Sequence, residues 1–184
     1  MLSLGNQKNS TFLSSQNRIP ISASLLQAII DILQKSTNSQ QLPRTNTSKY
    51  SQYPDIKPFV IYLVQKSHAS LTTTIHLLVY IVRLTKSFPK NVLSEGNAIY
   101  KIFISALLIA CKFCNDLKPL YTKKIFYLTN NMFSIKEINR MERAFLKLLD
   151  YRLYIKQSEY QEILHQYQLG LDSYLTDEII YPFF

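Results

Sequence analysis

Glycine is scarce, with three residues among 184. A chain this poor in the residue that serves tight turns, and with little strict polar–apolar alternation, favours a helical protein over a β-sheet one. No segment recurs at a fixed period, which leaves no basis for a solenoid. There is no Gly-rich phosphate loop, no metal-ligand cluster and no nucleophile–base pair at recognisable spacing, so neither an enzyme nor a cofactor is indicated. The first residues, Met1 to Lys8, lack the apolar core of a signal peptide. The longest uncharged apolar stretches, Leu71–Val82 and Ile102–Cys111, are too short to span a bilayer. No Ser-Pro or Thr-Pro dipeptide occurs, so phosphorylation by a proline-directed kinase is not indicated within these residues.

Cysteine is limited to Cys111 and Cys114. Their CxxC spacing often signals redox or zinc chemistry. Here both fall in an apolar helical stretch, and His68, His76 and His165 are too scattered to complete a ligand set. Reduced core thiols are the better reading, in keeping with an intracellular protein of the nucleus and cytoplasm. The sequons Asn9-Ser-Thr11 and Asn46-Thr-Ser48 then read as incidental. A formal charge of +9, from 21 basic and 12 acidic residues, is spread along the chain without a run of like charges. That is not the footprint of a nucleic-acid arm.

What the chain does have is helical periodicity, in hydrophobic residues that make up 47% of it. Residues 1–53 form a polar extension containing one amphipathic helix over Ile21–Lys35, with Leu25, Leu26, Ile29, Ile30 and Leu33 on one face. Thr37–Pro54, rich in Ser, Thr, Asn and Gln, reads as a linker, so the first helix is expected to pack on the main domain as an appendage. The main domain spans 54–168, and an apolar-ended tail occupies 169–184. Within it, Ile56–Lys66 forms a short helix with Phe59, Val60, Leu63 and Val64 inward. A longer helix covers Leu71–Lys86, with Arg83 and Lys86 complementing the dipole of its last turn and Pro89 closing it.

The stretch Glu95–Cys114 is apolar on all sides between Ile102 and Cys111, as in the middle of a bundle. Tyr121–Asn131 makes a short helix with Ile125, Phe126 and Leu128 as core candidates. Ser134 and Glu137 then form a capping box, opening a helix with Ile138, Met141, Phe145 and Leu148 along its apolar stripe. A last helix runs over Gln157–Gln168, before Gly170. Five helices from Leu71 to Gln168, with the apolar one second, describe an all-α domain.

Two segments carry a resemblance. Ala110-Cys-Lys-Phe113 resembles the end of the central helix of the cyclin box. Arg140-Met-Glu-Arg-Ala-Phe-Leu-Lys-Leu-Leu-Asp-Tyr-Arg-Leu153 resembles its fourth helix and following turn. Upstream, Ile56–Ser67 and Leu78–Leu84 are similar to the fungal Pcl/Pho group of cyclins. The likeness covers about residues 54–168. It implies a cyclin-box five-helix domain with additional N-terminal helices, acting as a non-catalytic activator of a cyclin-dependent kinase. It also implies that Lys112 and Glu142 fix the register of a kinase helix, with Phe113, Ile109, Leu146, Tyr151 and Leu153 supplying apolar contact. Taken singly, a lysine on an apolar helix snorkels to the surface and a glutamate in Arg-Met-Glu-Arg lies on a solvated face. Their joint occurrence at the family positions singles them out. For Ile109, Leu146 and Leu153, core and interface readings both stay open.

Thr72–Tyr80 lacks the Met-Arg-Ala-Ile-Leu-type motif by which mitotic cyclins recruit substrates, and these 184 residues are too few for an obvious second box. The rival reading is a cyclin-box transcription factor or helical adaptor binding DNA or protein partners. Such proteins usually carry two boxes and a clustered basic face, and neither is evident.

Overall fold

The computed structural model describes residues 21–36, 53–87, 97–115 and 119–167. The polar segment 1–20, both sequons, most of the 37–54 linker, Pro89 and the 169–184 tail lie outside them. Among the described residues there are seven helices and no strand. They are α1 (Ala23–Ser36), α2 (Ile56–Ser67), α3 (Leu71–Ser87), α4 (Ala98–Cys114), α5 (Thr122–Leu128), α6 (Ile135–Leu148) and α7 (Gln157–Gln166). None is long and apolar enough to cross a membrane.

The middle of the bundle is α4, as its apolar circumference predicts. Residues Ile102 to Cys111 are all buried, and α4 packs against α1, α2, α3, α5 and α6. Its most extensive neighbour is α3, whose residues Ile75 and Leu77 to Ile81 have no solvent exposure. The one core includes α1 as well. Leu25, Ile29 and Leu33 are fully buried, and the helix packs mainly on α3. Where an appendage was expected, α1 completes the core. The physical reason is its apolar stripe, too wide for a helix resting on a surface by one edge.

Local signals explain the helix boundaries. Asp55 caps α2, accepting from the Lys57 N–H at 3.3 Å. Ser134 accepts from the Glu137 N–H at 3.2 Å, and Glu137 accepts from the Ser134 N–H at 2.8 Å, the reciprocal box expected for α6. The shortest helix, α5, ends earlier than predicted. Asn130 and Asn131 take left-handed φ values of 49° and 59°, which turns the chain toward α6. Ile125 is its only buried residue, while Phe126 and Leu128 pack from the rim. An aromatic cluster fastens the lead-in to α2. Tyr53 stacks on Tyr100 at 5.0 Å between ring centres, and the Tyr100 hydroxyl donates to the Pro54 carbonyl.

Candidate functional site

The C-terminal end of α4 emerges between α3 and α6, and this is where Lys112 and Glu142 meet. Helical geometry explains why Glu142 lies there. At about 100° per residue, Glu142 is four positions after the buried Ile138, and so sits only about 40° from the axis of the buried stripe. Its side chain is 13% exposed, and it accepts a hydrogen bond from Lys112 Nζ at 2.6 Å. The lysine side chain is the more open of the two, at 38%. The carboxylate is therefore largely covered, while the ammonium, with three donors, has capacity beyond this one bond.

Phe113 adjoins the pair in sequence and is 44% exposed, far more than a core phenylalanine. Its ring leans on His76 of α3 at 5.7 Å, and His76 meets Tyr80 edge-on at 5.9 Å. Tyr80 is fully buried and donates its hydroxyl to the Leu153 carbonyl at 3.0 Å. Leu146 lies one turn beyond Glu142 on the same side of α6, half-buried against the core. Its carbonyl accepts from the Tyr151 N–H at 2.9 Å. Tyr151 is 63% exposed, and Leu153 is half-buried. Six of the seven residues singled out from the sequence thus belong to one connected region, built from the end of α4, the second half of α6 and the turn after α6.

Ile109 is the exception. It is 3% exposed and belongs to the core, because it lies on the stretch of α4 that is enclosed on every side. Leu148, expected on the apolar stripe, departs from it in the opposite sense and is exposed. Ten residues from Ile138 it has rotated about 80° off the buried axis, whereas Leu149, eleven residues on, returns to within about 20° and is buried. Arg83 also differs from its assignment. Helix α3 runs on to Ser87, which leaves Lys86 as the basic residue of its last turn, and Arg83 reaches Glu159 and the chain after α6. Sequence reasoning missed His76, Tyr80 and Arg83, whose partners lie up to 76 residues away.

Burial, opposed by a hydrogen bond with the Thr72 carbonyl and reinforced by the nearby Arg83 charge, holds the His76 pKa below its usual value. The folded state then binds fewer protons than the unfolded chain just below pH ~6.5, the ordinary histidine value, so stability falls as pH drops through that window. Thermal unfolding at pH 7.5 and 5.5 should show a lower midpoint in acid. His76→Gln should shrink that loss, and an unchanged loss would remove His76 from the account.

Cys111 is buried, its thiol pushed up to about 12 by desolvation, while Cys114 is half-buried. Neither is in a disulfide. Among the described residues no group of three or more His, Cys, Asp or Glu is placed to hold a metal. The arrangement is suited to binding: a covered anion orients an open cation, with the exposed Phe113 next to it in the chain.

Comparison with known proteins adds a family. The profile of the cyclin N-terminal domain matches residues 28–154. Among curated proteins of Saccharomyces cerevisiae, the chain is 29% identical to PHO85 cyclin-1 over 119 residues, covering 64% of this chain and 42% of that protein. It is 30% identical to PHO85 cyclin-9 over 137 residues, covering 73% and 43%. It is 29% identical to PHO85 cyclin-2 over 98 residues, covering 53% and 32%. The chain therefore spans less than half the length of these relatives.

Proposed function

The chain belongs to the cyclin family through its N-terminal cyclin domain, and from that premise we propose that it binds and activates a cyclin-dependent kinase of the PHO85 type. The likeness to three PHO85 cyclins supports the choice of partner. The observation that carries the reading is the Lys112–Glu142 pair, set beside the exposed Phe113 where two helices converge.

The proposed mechanism involves no chemistry by this chain. Activation requires a helix of the kinase small lobe to turn so that its glutamate pairs with the phosphate-binding lysine. A partner that binds the turned helix better than the unturned one shifts that equilibrium by its differential affinity. Lys112 donates to carbonyls left open at an end of the kinase helix. Glu142 keeps the ammonium aimed and accepts from N–H groups of the kinase. Phe113, Leu146, Tyr151 and Leu153 supply apolar area around them, with the two aromatics as the main anchors. Ile109 acts from beneath, as packing under the end of α4. The protein would work in the nucleus and cytoplasm.

Gel filtration of this chain mixed with the purified kinase subunit tests the proposal. A one-to-one complex with raised phosphorylation activity is expected. Separate elution with unchanged activity at micromolar concentrations would contradict it.

A further inference from the structure

Three consecutive carbonyls after α6 are held by side chains of α3. The Arg83 guanidinium donates from Nη1 to the Arg152 carbonyl at 2.6 Å and from Nη2 to the Tyr154 carbonyl at 2.8 Å. Tyr80, three residues earlier on the same helix, donates to the carbonyl between them, that of Leu153. Two further Arg83 N–H donors grip the Glu159 carboxylate of α7 in bidentate fashion, Nε to Oε1 at 2.7 Å and Nη2 to Oε2 at 2.6 Å. Only 20% of the arginine side chain is exposed. A planar fork with five donors meets this set of acceptors, and a lysine would not.

The clamped stretch follows a turn that has a cost. Asp150 and Tyr151 both adopt left-handed backbone, φ 54° and 55°, in consecutive non-glycine positions. Such residues persist where the surroundings over-determine them. On one side the turn is tied to α6, through Asp150 N–H to the Lys147 carbonyl and Tyr151 N–H to the Leu146 carbonyl, both at 2.9 Å. On the other it runs directly into the carbonyls that Arg83 and Tyr80 hold. Residues 152–156 form no helix or strand that would fix them otherwise.

We propose that Arg83 is a positioning residue for partner binding, holding Tyr151 and Leu153 in their presented geometry from a helix on the other side of the turn. This rests on the kinase-binding reading above. Arg83 makes its contribution through the backbone of the turn, and the Glu159 carboxylate serves to orient the guanidinium.

The test uses the full chain and the purified kinase. Arg83→Lys is expected to weaken kinase affinity about tenfold, equivalent to 1.4 kcal/mol, with helical circular dichroism retained. Glu159→Gln preserves both carbonyl contacts and should weaken it less than about threefold. Combined with Tyr151→Ala, Arg83→Lys should cost less than the sum of the two single losses, because Tyr151 is one of the two side chains that the clamped turn presents. Amide exchange in the kinase-free chain should quicken at Asp150 and Tyr151 in Arg83→Lys. Parent-like affinity, additive losses, equal damage from Glu159→Gln or unchanged exchange would each overturn the proposal. Failure of the parent chain to bind the kinase would overturn the underlying reading and the proposal with it, whereas unchanged exchange would overturn the positioning role alone. If Arg83→Lys does not fold, Tyr80→Phe, which removes one hydroxyl from the same clamp, replaces it. A loss of about threefold is then expected, and no loss would overturn the proposal.

Discussion

Replacing Phe103 with alanine should destabilise the domain by about 3–5 kcal/mol, the range for emptying a fully enclosed aromatic site. Phe103 has no solvent exposure, lies on the buried length of α4 and meets Phe59 of α2 edge-to-face at 6.0 Å. α4 touches five other helices, so the walls of the resulting cavity cannot close without shifting several of them. Against a typical domain stability of about 5–15 kcal/mol, the loss is large enough to leave a sizeable unfolded fraction. Urea unfolding is the measurement. The midpoint should fall sharply with little change in slope. A change under about 1 kcal/mol would mean that the core is not organised around α4.

Lys112→Ala and Glu142→Ala should do the reverse: little to stability, much to partner binding. An ion pair with a 38% exposed lysine contributes at most about 1 kcal/mol to folding. In a complex the same groups lose their remaining water, and truncating either one then costs about 2 kcal/mol or more, roughly a thirtyfold drop in affinity. Glu142→Ala is expected to be as damaging as Lys112→Ala even though the glutamate is the more covered side chain. Without it the ammonium loses its aim as well as a neighbouring acceptor. Titration calorimetry against the kinase subunit, beside thermal melts of the same variants, separates the two effects. Full affinity with a collapsed melting temperature would show the pair to be structural.

The fold was legible wherever a repeating physical signal existed. The capping residues Ser134 and Glu137 marked the start of α6 correctly, and the uninterrupted apolar run in α4 identified the helix that ended up enclosed. The same run concealed the fate of Ile109, because a helix apolar all round gives no angular clue to which side chains reach the surface. The i+10 spacing from Ile138 puts Leu148 on the apolar stripe, yet rotation along α6 carries it outward. The polar stretch after α1 suggests a peripheral helix, yet burial of Leu25, Ile29 and Leu33 ties it to α3.

For the site, residue identity together with family likeness pointed to Lys112 and Glu142, and helical spacing places Glu142 beside the buried stripe. Arg83 was out of reach. A basic residue near the C-terminal end of a helix has a sufficient local explanation in the dipole, and nothing in sequence spacing reveals that its acceptors lie 69 to 76 residues further on. Long-range contacts of this kind depend on the packing of whole helices, which periodicity does not encode.

The central claim is that the region around Phe113, Lys112 and Glu142 receives a helix of the kinase small lobe. Photo-cross-linking from a benzophenone side chain at position 113, within the assembled complex, tests it most directly. The account predicts a cross-link to the small-lobe helix bearing the glutamate that pairs with the phosphate-binding lysine. A cross-link elsewhere on the kinase, or none from a complex that remains assembled and active, would contradict it.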